Sequence, residues 1–519
     1  MGLHTTFYLC VALCKADFIT VANSTRAILV EMFAMTSVAV PLFRKPRSEY
    51  LLSQKHISLE HYKKQKKMGE ETISMEIVNP QAAGIDVGSR SHWVAIGQKE
   101  SEVREFGVFN EDLFEMAAWL HEHKIKTVAM ESTGTYWQNL YAVLLSKGFH
   151  VILCNGKFTK NIQGKKTDVK DCQWIQKLHS LGLLSSSFLP DGNTEELRTY
   201  CRHRANLIHT AASTSKKMQK YLRLLNLRLD VVVKDICGLT GLNIIRAVCS
   251  GETAPEKLAQ LRHGNCRKSE PEIARALQSN GRKDYLFALE QELETYDHLQ
   301  KKITECDVKI EQMLNQIIDN DENKKQHYLE PKPHKRINKN TPKDIDLNLK
   351  SYQMFEGIDL LAIEGISFAT VLSLMSEVGI EGIKRFTSAK HFCSWLRLAP
   401  NNKISGGKLL SSKVPKGSNR LKITLRNAAN AIGNLKESTP LRDFFHRINF
   451  RKGRVSAISA TARKLAVIIW NMVVKGTAYI NPEGYLYLDQ KRKLAVRKRI
   501  QNQIDKFALN QADFNFAIT

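Results

Sequence analysis

The stretch Ala82-Ala83-Gly84-Ile85-Asp86-Val87-Gly88-Ser89-Arg90-Ser91-His92-Trp93-Val94-Ala95-Ile96 decides the fold. Its first six residues are largely apolar and carry a single acid, Asp86, near their end, before the turn residues Gly88-Ser89-Arg90. That pattern reads as a strand, a turn and a second strand over His92 to Ile96. Val103 to Phe109 makes a third strand, and Glu111 to Glu122 places its apolar residues at helical spacing. Thr127 to Met130 is a short buried strand that delivers Glu131 at its tip. Tyr136 to Lys147 is helical, and His150 to Cys154 is a fifth strand. A basic loop with Lys157, Lys160, Lys165 and Lys166 follows, then a helix beginning near Thr167 that carries Asp168 and Asp171. Three strands, helix, strand, helix, strand, helix is the order of a ribonuclease-H-like α/β fold. Its first three strands pair antiparallel and the rest join by parallel crossovers.

Asp86, Glu131, Asp168 and Asp171 therefore come from different elements of one sheet and its helix. Phosphoryl transfer with two metals needs carboxylates that converge in this way, because no single segment can surround both ions. Asp168 and Asp171 lie three apart and share a helix face. An all-oxygen set favours Mg²⁺, with Mn²⁺ as the alternative. Taken singly the acids say less: Asp168 also suits a helix N-terminus and Asp171 a solvated surface. Gly84 to Ser89 also resembles the first phosphate loop of actin-like sugar kinases. The second Asp-Gly-Gly loop and the adenosine motif of those proteins are missing from the sequence.

The chain has 519 residues, enough for two or three domains, with 77 Lys and Arg against 52 Asp and Glu and a net charge of +25. Such an excess points to a polyanionic partner, DNA or RNA. The ten cysteines form no CxxC pair and no zinc spacing, which suits a reducing cytoplasm. Phe7 to Phe43 is apolar, but Lys15, Asp17, Arg26 and Glu31 interrupt it, so it makes a poor membrane span and no membrane association is expected. It also lacks the basic start of a signal peptide, and Met1-Gly2 with Thr6 is read as a chance match to a myristoylation pattern. Residues 1–75 are expected to be a dispensable leader, with Met68 or Met75 as candidate translation starts.

Beyond the α/β domain, assigned to residues 76–190, Glu195 to Leu229 reads as a long helix and short helices run to about Asn280. Leu286, Leu289, Leu293, Tyr296, Leu299, Ile303, Cys306, Ile310, Met313 and Ile317 then alternate spacings of three and four, with one extra three-residue step. This predicts a coiled coil within a helical region 191–318, favouring pairing between copies over packing on its own domain. Asp319 to Lys350, interrupted by Pro331, Pro333 and Pro342, is expected to be a linker. A mostly helical domain over 351–480 and a basic tail over 481–519 complete the chain. Between Lys384 and Arg426 there are eleven Lys or Arg and no Asp or Glu, so this segment can meet phosphate almost without opposition. Within it, Pro400-Asn401-Asn402-Lys403-Ile404-Ser405-Gly406-Gly407-Lys408 sets a small hydroxyl beside two glycines that permit close backbone approach. By itself this is a turn or phosphate cradle more often than a nucleophile. Leu361 to Ala369 resembles the hairpin of a helix-hairpin-helix module, which offers backbone amides to DNA phosphates; a plain helical turn fits as well.

Gly84 to Ser89, Met130-Glu131-Ser132-Thr133-Gly134, Lys166 to Trp174 and Pro400 to Lys408, in this order, resemble the IS110-family transposases, specifically the IS1111 group. The resemblance spans about Val78 to Tyr487. It implies a RuvC-like domain whose Asp86, Glu131, Asp168 and Asp171 bind Mg²⁺, and a C-terminal serine, Ser405, that attacks DNA to give a covalent phosphoserine link. It also implies a guide RNA that pairs with donor and target DNA, leaving the protein to hold backbones. The expected function is thus DNA transposition by an insertion-sequence recombinase acting as a dimer or tetramer at the nucleoid of a prokaryotic cytoplasm. The alternative is a RuvC-like endonuclease that hydrolyses DNA with water. The expected nucleic-acid contacts are Lys165, Lys166, Lys403, Gly406, Gly407, Lys408, Lys413, Lys416 and Arg420.

Overall fold

Alternating and continuous apolar runs between residues 82 and 154 become a five-stranded mixed sheet: β1 Ala82–Val87, β2 His92–Ala95, β3 Val103–Phe106, β4 Thr127–Glu131 and β5 His150–Cys154. The computed structural model describes residues 76–156, 167–326, 332–334, 340–342, 344–417, 419–479 and 486–508. The chain divides into two compact units that part between Ser187 and Phe188. The strand order is β3-β2-β1-β4-β5, with β1–β2 and β2–β3 antiparallel and β1–β4 and β4–β5 parallel. The central strand is the most fully buried one, with Ala82, Ala83, Ile85 and Val87 all in the core. Helices α1 Asn110–Glu122, α2 Trp137–Ser146 and α3 Asp168–Ser180 complete this unit. The third strand stops at Phe106, short of the expected Phe109. There the Phe109 amide donates to Asp112 Oδ2 at 3.0 Å, and that cap starts α1. The expected leader lies outside the described residues.

Helix α3 is held against β1 by the lack of a side chain at Gly84. A Cβ there would overlap the backbone nitrogen of Gln176 and lie 2.5 Å from the Cys172 carbonyl oxygen and 2.7 Å from Gln176 Cα. Glutamines secure the contact: Gln176 Nε2 donates to Ala82 O at 3.2 Å, and Gln98 Nε2 to Gln176 Oε1 at 2.6 Å. At the other end of α3, the Thr127 hydroxyl lies 2.9 Å from His179 Nε2 and 3.3 Å from His150 Nδ1. Burial, reinforced by the charge of His150, holds His179 down at about 4.

The second unit is built on two long helices, α4 Gly192–Leu224 and α5 Lys283–Asp319. Asp191 caps the first, accepting from the Thr194 amide at 2.9 Å. The helices run antiparallel, with Lys217 paired to Glu292 at 3.1 Å and the buried Arg204 bonded to the buried Asp307. Two cores share them. Met218 and Leu222 pack with Leu289 to Ile303 and four short helices between Leu229 and Ala276, while Leu197 packs with Ile310 to Ile318 and the C-terminal helices.

The heptad seam expected to join separate copies is therefore covered from within. Leu289, Leu293, Tyr296, Leu299, Ile303, Cys306, Ile310, Met313 and Ile317 are all buried in this chain, and Leu286 packs against the same core. A narrow apolar stripe needs a partner, and α4 of the same chain supplies one. Parts of the expected linker are packed as well. Arg204 Nη1 donates to Asn340 O at 2.8 Å, and Thr341 and Ile345 are buried.

Downstream lie α6 Phe368–Glu377, the two-stranded hairpin β6 Lys403–Ser405 and β7 Lys408–Ser411, and helices α7 Arg420–Gly433, α8 Pro440–Lys452, α9 Arg454–Lys475 and α10 Leu486–Phe507. By length and composition α9 alone among the described helices suffices to cross a membrane. Its Leu465, Ala466, Ile469 and Val473 are instead buried in the helical core.

Two outcomes are expected for the first unit. Gly84→Ala lowers its stability in urea unfolding by about 3 kcal/mol or more, because the obstacle is helix backbone that cannot swing aside. His179 has a folded value below its unfolded one near 6.5, so its contribution is complete above that pH. It is lost as pH falls from 6.5 towards 4, where the unfolded chain binds the extra proton. The loss is about 3 kcal/mol, and His179→Gln flattens that part of the stability profile.

Candidate active site

Asp86 lies one residue before the end of β1, and Glu131 is the last residue of β4. The two strands are parallel neighbours with Ile85 beside Met130, so the next residues, Asp86 and Glu131, stand level at the same end of the two strands. Both are partly buried. Glu131 is positioned from two sides. The Thr133 hydroxyl donates to Glu131 Oε1 at 3.2 Å, and Gly156 leaves the space the carboxylate uses, since a Cβ there would lie 2.6 Å from Glu131 Cδ.

Asp168 and Asp171 occupy the first turn of α3, which begins where Thr167 accepts from the Lys170 amide at 3.3 Å. Negative charge is favourable at that helix end. The packing of α3 on Gly84 brings this turn to the Asp86 end of β1. Cys172 packs at that junction. Burial pushes its thiol up to about 12, and the charges of both Asp86 and Asp171 add to the rise. Burial, with the charge of Glu131, likewise raises the Cys154 thiol to about 11. Burial disfavours the thiolate form of both, whereas the acids at this end of the sheet offer carboxylate oxygens, the kind of donor that suits a hard divalent cation. Among the described residues, no three His, Cys, Asp or Glu side chains are drawn together closely enough to hold a metal ion. Lys165 and Lys166 lie outside the described residues.

In the second unit, Ser405 ends β6 and pairs with Lys408 across a two-residue turn. Gly406 and Gly407 have φ of 53° and 73°. Two successive positive φ values define the tight hairpin turn that glycine pairs favour. Lys403, Ser405, Gly406, Gly407, Lys408, Lys413 and Lys416 are all exposed. Two cations of the same segment serve the loop itself: Arg397 Nη1 donates to Lys416 O at 2.7 Å and Lys422 Nζ to Pro415 O at 3.1 Å. Burial, with Arg426 and Arg397 nearby, lowers the Lys422 ammonium. Sequence reading missed both braces. An inward turn of a cation onto a backbone carbonyl leaves no spacing signal, although the non-glycine φ of 55° at Arg397 marks the place in the structure.

Arg420 opens α7 and lies 4.0 Å from the buried Glu377, which Arg202 and Arg198 also engage at 2.6 and 3.5 Å. The turn expected to resemble a helix-hairpin-helix follows a single 3-10 turn at Leu360–Ala362 and leads into α6. Its Ile363 and Ile366 are buried, and Gly365 (φ 77°) fits against α7, where a Cβ would lie 2.9 Å from Ala428 O.

Residues 83–226 match the family model of the DEDD domain of IS110 transposases, and residues 359–445 match that of the transposase IS116/IS110/IS902 family. The first match contains all four acids and the second contains the Ser405 hairpin. No curated protein matches the chain. A DEDD transposase domain points to a divalent-metal requirement in general, and the transposase matches make DNA the partner of the protein. With the two matches in order along one chain, the protein belongs to the IS110 family of transposases, enzymes that cut and rejoin DNA.

Proposed function

We propose that this transposase moves an insertion sequence by exchanging DNA strands through a covalent phosphoserine at Ser405. Asp86, Glu131, Asp168 and Asp171 hold Mg²⁺ or Mn²⁺, and a structured RNA selects the DNA. The observation that carries the reading is the hairpin: an exposed serine directly across from a lysine, on a two-glycine turn, in a segment without acids. In the proposed step Ser405 Oγ bonds to phosphorus as the bond to a sugar oxygen breaks. The serine gives up its proton and the departing hydroxyl gains one. One phosphate ester replaces another, so the energy needed for rejoining is retained and no nucleotide cofactor is required.

Lys408, paired with Ser405, is placed to offset charge on the attacked phosphate, and Lys403, Lys413, Lys416 and Arg420 to hold the strand on either side. Lys165 and Lys166, just before Asp168 in the sequence, are assigned the same role. When bound, the metal supplies Lewis acidity and lowers the cost of an anionic oxygen. The guide RNA is supported by the resemblance and by the net charge of +25, which suits a protein that grips several nucleic-acid backbones. A second reading, hydrolysis by the carboxylates with water and a structural Ser405, is favoured by the level placement of Asp86 and Glu131.

A denaturing gel of labelled element-junction DNA, with the adjoining noncoding RNA and Mg²⁺, separates the two. A protein-DNA adduct is expected with wild type and none with Ser405→Ala, Asp86→Ala or EDTA. Free cut ends without an adduct establish hydrolysis instead. Gly156→Ala is expected to lower cleavage about 100-fold by displacing the Glu131 carboxylate, with the melting temperature unchanged.

A further inference from the structure

The hairpin that carries Ser405 has a second face. Ile404 pairs with Leu409 one step behind the Ser405–Lys408 pair, and successive residues of a strand alternate sides. The serine and lysine thus share one face, while Ile404 and Leu409 share the other at 65 % and 58 % exposure. Leu410, 68 % exposed, follows on the serine's side. No residue of either strand is buried, so the ribbon has no face in the core of its own unit. Large aliphatics on an unpartnered ribbon call for an occupant.

Charge identifies it. Lys408 sits at the turn, Lys403 and Lys413 lie at the open end of the ribbon and Lys416 in the loop after it, all exposed, and no acid occurs between Lys384 and Arg426. A second copy of this basic chain would meet the patch with like charge, and a purely apolar partner would strand the lysines. DNA answers both halves: phosphates for the lysines, and a groove that admits a two-stranded ribbon. Aliphatic side chains entering a base stack part the step and bend the duplex.

We propose that Ile404 and Leu409 form a wedge that enters the base stack at the step being cut and turns its phosphate towards Ser405. The inference rests on Ser405 as the nucleophile, and its test separates the two. The probe is an element-junction duplex with 2-aminopurine at the cleaved step, bound to the full chain with the adjoining noncoding RNA and Mg²⁺. Fluorescence is expected to rise with wild type and with Ser405→Ala, and not with the double variant Ile404→Ser, Leu409→Ser. The double variant keeps its lysines, so its duplex affinity stays within about threefold of wild type. Its adduct formation slows about tenfold or more and recovers when a mismatch has already loosened the step.

A full fluorescence rise in the double variant overturns the wedge. So does adduct formation by wild type with no rise at all, which leaves the serine reading intact. A rise that depends on Ile404 and Leu409 without any wild-type adduct supports the wedge and sinks the serine nucleophile. If the double variant sediments as a smaller species than wild type, the face covers another copy and the wedge is wrong.

Discussion

The candidate site depends on a side chain that is missing. At Gly84, in the middle of the central strand, helix α3 approaches so closely that a single methyl group would strike its backbone at Cys172 and Gln176. Sheets and helices ordinarily keep a layer of side chains between them, so a backbone contact of this kind sets helix height and register more tightly than apolar packing does. The consequence is chemical. Asp86 lies two residues beyond the glycine, and Asp171 sits one residue before Cys172, whose carbonyl faces it. Had α3 been lifted by one side-chain layer, its first turn would lie farther from the end of β1 that carries Asp86.

The second unit solves a different problem. A pair of helices as long as α4 and α5 would project into solvent unless apolar groups lay at both ends. Two separate cores supply them, one with the short helices between Leu229 and Ala276 and one with the C-terminal helices. Between the cores lies the buried pair Arg204 and Asp307, with Asn340 O completing the guanidinium's bonds. A buried ion pair contributes little net stability but is costly to break by halves, so it selects the register in which both partners meet.

Much of this was legible because it is local. Strand β1, strand β5 and the positions of all four acids follow from apolar runs and the residues that bound them. The turn at Gly406-Gly407 follows from the glycine pair. The heptad spacing of α5 marks the stripe that is buried, though not as the expected coiled coil between copies. What covers it was not legible: α4 is separated from it by dozens of residues, and spacing along one helix cannot name the surface that fills it. The glutamine bonds among Gln98, Gln173 and Gln176 escaped for the same reason. They join residues more than seventy positions apart, and glutamine carries no pattern of its own.

The same distinction applies to charge. The sequence carries +25, yet several of its cations are already engaged by groups of the same chain. Arg198 and Arg202 lie on Glu377, Arg204 on Asp307, Lys384 on Glu356 and Glu381, and Arg397 and Lys422 on backbone carbonyls. Cations on carboxylates cancel in the far field, whereas those on carbonyls keep their charge but not their freedom to reach a phosphate. Lys403, Lys408, Lys413 and Lys416 are different, being exposed on or beside a ribbon whose own segment supplies no carboxylate. Counterion release depends on the cations that reach phosphate, not on the total. Among the described residues, the hairpin and the loop after it are one place where exposed cations stand together with no acid in their own segment, around the candidate nucleophile.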